Sequence, residues 1–183
     1  DGAEAVVTIR ATPNDGAALV IYGVRDGGVA ELAATPPIGT GNRWLNPIGV
    51  GDLDGDATLE IAYVETPHIG GVVKAWSYTP DGLVLRASVR GYSNHAFGAA
   101  ALGLGIVMDV DVDGRDEILL PDQDRTALAA LGLDDDRLTE RWRLPLGARI
   151  VADLRPVDFN RDARPEIVIG LADGRVGLLD FDR

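Results

Sequence analysis

Short apolar runs alternate along the whole chain with clusters of Gly, Pro, Asp and Asn, and no window sustains a helical period over three turns. Four consecutive runs, "PIGVGD" (47–52), "EIAYVE" (60–65), "GVVKAWSY" (71–78) and "LVLRASV" (83–89), have the length and β-branched content of strands. An acidic loop separates the first two, and a turn at Pro80, Asp81 and Gly82 separates the last two, so the pattern predicts a four-strand meander. The most helix-like stretch, "RTALAALGLDDDRL", occupies the place that "GGVVKAWSYTPDGL" fills one repeat earlier. It therefore reads as strand, turn at Asp134 to Asp136, and strand. The final segment repeats the first three elements as "ARIVADLRPVD", "EIVIGLA" and "RVGLLDF".

The link before "EIAYVE" recurs. "MDVDVDGRDEILL" (108–120), "GDLDGDATLEIAYV" (51–64) and "VDFNRDARPEIVIG" (157–170) align on their Glu-Ile pairs. The alignment places Asp52, Asp54, Asp56 and Glu60 beside Asp109, Asp111, Asp113 and Glu117, and beside Asp158, Asn160, Asp162 and Glu166. Side-chain oxygens thus stand at loop positions 1, 3, 5 and 9 in every copy. In a tightly wound loop they can converge on one cation, with the backbone carbonyl at position 7 (Thr58, Arg115, Arg164) helping to close the shell. All the donors are hard oxygens, which favours Ca²⁺ over zinc or copper, and the stricter octahedral demand of Mg²⁺ disfavours that ion. A single copy would read equally well as an ordinary acidic turn; three in register point to as many as three metal sites. An EF-hand is excluded, because position 12 is Tyr63, Leu120 or Ile169 in place of the bidentate Glu, and the flanks read as strands.

The first loop positions are 57 and 49 residues apart, a period suited to one four-stranded propeller blade. The expected fold is all-β, a β-propeller-type repeat of four-stranded antiparallel blades. About four units fill one repeat domain, roughly 1–46, 47–97, 98–147 and 148–183. The terminal units are incomplete, so the expected strands number three, four, four and three. Asp1 and Gly2 read as the tail of a further loop, with Ala5 where its position 9 acid should be. That arrangement leaves blade edges uncovered, and either self-association or further blades upstream in a longer parent chain should cover them.

The loops resemble FG-GAP or VCBS repeats, found in the β-propeller of integrin α subunits and in many bacterial secreted proteins. The family pattern is Asp-x-[Asp/Asn]-x-Asp-Gly-x-x-[Asp/Glu] ahead of a strand. Residues 109–117 match it fully, Gly114 included; Ala57 replaces that Gly in 52–60, where Gly55 stands nearby, and Ala163 replaces it in 158–166. Of the Phe-Gly and Gly-Ala-Pro signature only "FGAAA" (97–101) remains. The resemblance implies a propeller with Ca²⁺ in inter-strand hairpins and no single activity.

Composition narrows the partners. Net charge is −12, which disfavours nucleic acid and anionic membrane surfaces, although eleven of the 29 acidic residues occupy the aligned loop positions. The longest apolar run, "AFGAAALGLGIVM", has 13 residues broken by glycines, so no membrane insertion is expected. Cys is absent, which removes thiol chemistry and disulfides. Weak Ca²⁺ sites fill where calcium is plentiful, and this points to an extracellular or periplasmic, secreted setting.

No G-x-S-x-G or Walker loop is present. His68 and His95 read as surface or hydrogen-bonding loop residues, and Trp44, Trp76 and Trp142 as packing between blades, with an aromatic platform for a ligand as the alternative. The function expected is a noncatalytic calcium-binding module that presents loops to a protein or glycan ligand. The alternative is a metal-dependent polysaccharide-degrading propeller enzyme using His68 or His95. A catalytic ion needs an open coordination position, whereas three similar acid-rich loops suit structural ions.

Overall fold

The structure is a computed structural model that describes residues 4–41, 43–162 and 164–181. The readings of Asp1, Gly2 and Ala163 lie outside the described residues. Among these residues there are fourteen strands and no helix.

The strands form four antiparallel sheets. The first holds β1 (Val6–Thr12), β2 (Gly16–Arg25) and β3 (Gly28–Ala34). The second holds β4 (Leu45–Gly51), β5 (Glu60–Glu65), β6 (Val72–Thr79) and β7 (Gly82–Arg90). The third holds β8 (Ile106–Met108), β9 (Glu117–Pro121), β10 (Ala127–Asp134) and β11 (Arg137–Pro145). The last holds β12 (Arg155–Val157), β13 (Glu166–Gly170) and β14 (Val176–Leu179). Within each sheet the strands are neighbours in chain order, and the strand numbers are the expected three, four, four and three.

Three apolar cores sit between successive sheets. Leu19 and Ile21 of β2 meet Ile61 and Tyr63 of β5. Ala62 and Val64, on the other face of β5, meet Ile118 and Leu120 of β9 and Leu131 of β10. Leu119 and Leu128 then meet Ile167 and Ile169 of β13. Successive residues of a strand point to opposite faces, so a strand buried on both sides has no polar positions to alternate with. This explains the helix-like composition of β10. Leu128 and Ala130 enter one core, Ala129, Leu131 and Leu133 the other, and the turn to β11 is made by Asp135 and Asp136 at φ 44° and 59°. Two left-handed residues between paired strands are the signature of a tight hairpin turn.

One expected strand is much shorter than its sequence suggested. "ARIVADLRPVD" contributes only β12, and Ile150 makes a single bridge to Leu171. The reason is divided hydrogen bonding: the Val151 N–H donates to the Gly170 carbonyl, but the Leu154 N–H turns away to that of Gly103.

Bulges occur at matching places in three sheets. The pairing shifts by one residue opposite Ile21/Tyr22, Ala75/Trp76 and Ala130/Leu131, leaving Leu32, Arg86 and Arg141 as the extra residues. A bulge re-aims a side chain, and two of these three are arginines. Strand direction fixes the two ends of the molecule. β4, β8 and β12 run into the acidic loops, whereas β5, β9 and β13 leave them, so the connections 66–71, 91–105 and 122–126 lie at the opposite end.

Candidate metal centre

The three acidic loops share one hydrogen-bonded frame. In each, the position 9 glutamate is buried and accepts from the position 2 N–H: Leu53 to Glu60 at 3.1 Å, Val110 to Glu117 at 3.1 Å, Phe159 to Glu166 at 2.7 Å. In each, the position 7 N–H donates to the position 5 aspartate: Thr58 to Asp56, Arg115 to Asp113, Arg164 to Asp162, at 2.7–2.8 Å. The position 1 aspartate accepts from N–H groups further round, Asp52 from Gly55, Asp56 and Ala57, Asp109 from Gly114, and Asp158 from Asp162.

Winding the chain this tightly demands left-handed backbone. Position 4 is left-handed in every copy (Gly55 φ 79°, Val112 φ 60°, Arg161 φ 67°), and position 6 is left-handed at Ala57 (φ 65°) and Gly114 (φ 91°). The exchange of Gly for Ala at position 57 therefore leaves the conformation in place and adds strain. A β-branched residue is especially unfavourable there, so Val112 carries the largest cost.

Two loops bring three carboxylates together. Oxygens of Asp52, Asp54 and Glu60 lie within 4.8 Å of one another, as do those of Asp109, Asp111 and Glu117. Either triad could hold a metal ion. Asp56 and Asp113 stand outside these groups, with one oxygen turned onto the position 7 N–H. The third loop, Asp158 to Glu166, forms no such triad among the described residues. There the Asn160 Nδ2 donates to Asp162 at 3.2 Å, so an amide relieves the crowding that a carboxylate would create.

The two triads differ in their surroundings. Arg86, the bulge residue of β7, places Nη2 2.8 Å from Asp54, Nη1 3.6 Å from Glu60 and Nε 2.6 Å from Asp136 in the β10–β11 turn. Burial raises the Glu60 pKa; the Ser77 hydroxyl (2.7 Å) and the Leu53 N–H oppose that shift, and Arg86 helps. In the second triad Arg141, the equivalent bulge residue, spends its guanidinium on Asp134 at 2.6 and 2.7 Å. Burial pushes Glu117 up to about 7, with the Val110 N–H opposing and Asp111, Asp113 and Asp109 adding to it. Asp109 Oδ1 is buried there without a hydrogen-bond partner. A buried anionic oxygen with nothing to accept from is costly, and a hard cation would satisfy it. The donor set of the second loop thus fits a metal best.

Several neighbours of the site were not legible in the loops themselves. Asp116 at position 8 of the second loop clasps the first: its N–H donates to the Asp52 carbonyl (2.8 Å), and its Oδ2 accepts the Asp52 N–H (2.9 Å). A Cβ at Gly51 would lie 2.4 Å from that same oxygen, so the clasp requires glycine there. Arg115 extends past Gly55 to within 3.6 Å of Asp134. Leu59 and Pro165 hold position 8 in the other loops. A proline has no N–H to donate, and an open cleft of ≈ 360 Å³ separates Asp109 and Asp111 from Asp162 and Arg164.

The histidines and tryptophans are far from equivalent. Trp76 is buried between the first two sheets, and Trp142 packs on Phe181 with ring centroids 5.9 Å apart. Trp44, His68 and His95 instead meet at the end opposite the acidic loops.

Neither a protein-family model nor a curated protein matches the chain. The likeness to FG-GAP or VCBS repeats rests on the loop residues themselves.

Proposed function

We propose that the chain is a noncatalytic calcium-binding module of β-propeller-repeat type, in which Ca²⁺ rigidifies the inter-strand loops and the connections between strands present a surface to a ligand. The observation that carries this reading is the shared loop frame with its two carboxylate triads, one of which holds a buried, unpartnered oxygen. Asp52, Asp54 and Glu60 would hold one ion, and Asp109, Asp111 and Glu117 another. The third loop, with Asp158, Asn160, Asp162 and Glu166, is the weakest. Four sheets packed in chain order, each with its acidic loop or hairpin at the same end, support a blade-like arrangement. The loops support structural ions, because their ligands are held by backbone N–H groups within single hairpins.

Calorimetric titration with Ca²⁺ and thermal melts with and without chelator test the reading. A site that is 100-fold saturated adds about 2.7 kcal/mol to stability if the unfolded chain does not bind. Asp111→Ala removes a carboxylate of the second triad and should abolish that site, whereas Asp135→Ala, in the β10–β11 turn, should leave stoichiometry unchanged. Absence of bound Ca²⁺ together with identical melts would overturn the proposal.

A further inference from the structure

Trp44, His68, Ile69, His95, Phe97 and Arg43 line an open cleft of ≈ 780 Å³. Trp44 precedes β4, His68 and Ile69 follow β5, and His95 and Phe97 follow β7, so all lie at the end opposite the acidic loops. The rings form one continuous surface. Trp44 meets His95 edge-on at 4.4 Å between centroids, and His68 lies 6.3 Å from Trp44 and 6.1 Å from Phe97. Phe97 is 90% exposed and Ile69 65%. Large apolar side chains displayed this openly, beside others already fixed in place, mark an interaction site.

The platform is held rigidly from beneath. Asn46 and Asn94, both buried, bond reciprocally: Asn46 Nδ2 donates to the Asn94 carbonyl (3.2 Å), and Asn94 Nδ2 to that of Asn46 (3.1 Å). The buried Ser93 hydroxyl lies 2.7 Å from the Pro67 carbonyl, which ties the connection bearing His95 to the turn bearing His68. His95 Nδ1 donates to the Ala101 carbonyl at 3.0 Å, which fixes its ring. A surface ordered before binding loses little entropy when a ligand arrives.

The lining chemistry selects the ligand. Its described polar groups are a guanidinium, an indole N–H and two imidazoles, with no carboxylate, amide or hydroxyl among them. A neutral sugar brings as many donors as acceptors and needs several acceptors from the protein, whereas the side chains here offer at most one imidazole nitrogen each from His68 and His95. This cleft suits a ligand that brings acceptors and an apolar body. Charge agrees, because a cleft lined by Arg43 and no acid stands out on a chain of net charge −12. The six residues of β5 separate it from the acidic loops by roughly 20 Å, more than two Debye lengths of about 8 Å at physiological salt. Glu65, which ends β5 on this side, is paired with Lys74.

We propose that this cleft binds an acidic peptide segment carrying an aromatic or large aliphatic anchor. The anchor packs on Trp44, Ile69 and Phe97, and the carboxylates meet Arg43 and a ring N–H of His68. This names a partner class for the presenting surface proposed above and rests on that reading only for its setting, since no ion contributes to the cleft.

The test is titration of the whole chain with acetyl-Glu-Phe-Leu-Glu-amide, followed by NMR of the Trp indole and His ring signals, in calcium and again in chelator. Controls are the Gln-Phe-Leu-Gln and Glu-Ala-Ala-Glu peptides, a galacturonate trisaccharide and cellotriose. The acidic anchored peptide should shift Trp44, His68 and His95 signals, and each control peptide should bind about tenfold more weakly. Phe97→Ala and Arg43→Gln, both at exposed positions, should each weaken binding by a similar factor with unchanged melts. No shift at millimolar peptide, an equal response to the neutral peptide, or tighter binding of either saccharide would overturn the proposal. Failure of calcium to alter the melts would strike the calcium reading alone.

Discussion

Arg86 is an internal cation seated on one carboxylate triad and absent from the other, and replacing it with Met should separate the two sites. The variant keeps an apolar stem of similar length and removes the charge. An ion held by Asp52, Asp54 and Glu60 would lie about 5 Å from the guanidinium, given the 2.8 and 3.6 Å contacts of Arg86 with two of those residues. A divalent and a univalent cation repel at that distance by about 1.7 kcal/mol at the dielectric of water and by about twice that at half that dielectric. The Arg86 side chain is 25% exposed, so the lower value is the better guide, equivalent to roughly tenfold to thirtyfold in affinity. Asp136 also offers the displaced guanidinium a place to swing, which limits the effect further. Glycine-selective ¹⁵N NMR reads the two loops separately, because the Gly55 N–H donates to Asp52 and the Gly114 N–H to Asp109. In the parent chain Gly114 should respond at lower Ca²⁺ than Gly55; in Arg86→Met the Gly55 midpoint should fall towards that of Gly114, which should not move. Without calcium the variant should melt earlier, since Glu60 and Asp54 lose their counter-charge. Unchanged half-saturation at Gly55 would refute the idea that Arg86 competes with the ion.

The remaining predictions concern pH and backbone strain. In chelator, Glu117 contributes stability that is fully present below its ordinary pKa near 4.5 and lost as pH rises through about 7, because burial favours its protonated form. Bound Ca²⁺ requires the ionised form, so the gap between melts with and without calcium should widen from pH 5.5 to 8, by up to about 2 kcal/mol, and Glu117→Gln should flatten it; a gap independent of pH would contradict this. Val112→Gly relieves a β-branched residue at φ 60° that is 55% exposed, and should raise the melting temperature by a few degrees, about 1 kcal/mol net of glycine's entropy. A lower melting temperature would show that the Val112 side chain matters more than its backbone.

Much of the architecture was legible because turn chemistry punctuates the chain. Pro80, Asp81 and Gly82, the acidic loops, and Asp135 and Asp136 all fall between strands, and the repeat overrode the helix-like composition of β10. The truncation of the β12 segment was not legible. Its apolar residues mark burial, but whether Leu154 continues a ladder or turns to Gly103 depends on a carbonyl 51 residues away in the chain. The position 9 glutamates were legible as donors converging on a cation, yet their burial and their bond to the position 2 N–H follow from loop winding. Arg86 was hidden for a different reason: only a bulge in the β6–β7 pairing places it over the loop, and strand periodicity cannot report a bulge. Trp44, His68 and His95 each looked solitary because they are 24 and 27 residues apart, but all flank strands at one end, and chain direction alone would have grouped them.

The acidic end is organised differently at its two best-defined junctions. Between the second and third sheets, Asp116 clasps Asp52, Arg86 reaches Asp136, and Arg115 passes over Gly55, so the negative loops are bridged by protein groups. Between the third and fourth sheets, Pro165 replaces the clasping residue, and the carboxylates of Asp109, Asp111 and Asp162 share an open cleft with Arg164. Repulsion is therefore relieved by protein groups at the first junction, whereas at the second Glu117 already favours its proton. A cation in the second loop would act at both levels: it would supply the partner that Asp109 Oδ1 lacks and lower the charge facing the fourth sheet. The apolar core formed by Leu119, Leu128, Ile167 and Ile169 holds the same two sheets from behind. On the reading proposed above, a cation would matter most at the second loop, where Asp109 Oδ1 is unpartnered, and less at the first, where Arg86 already sits on Asp54.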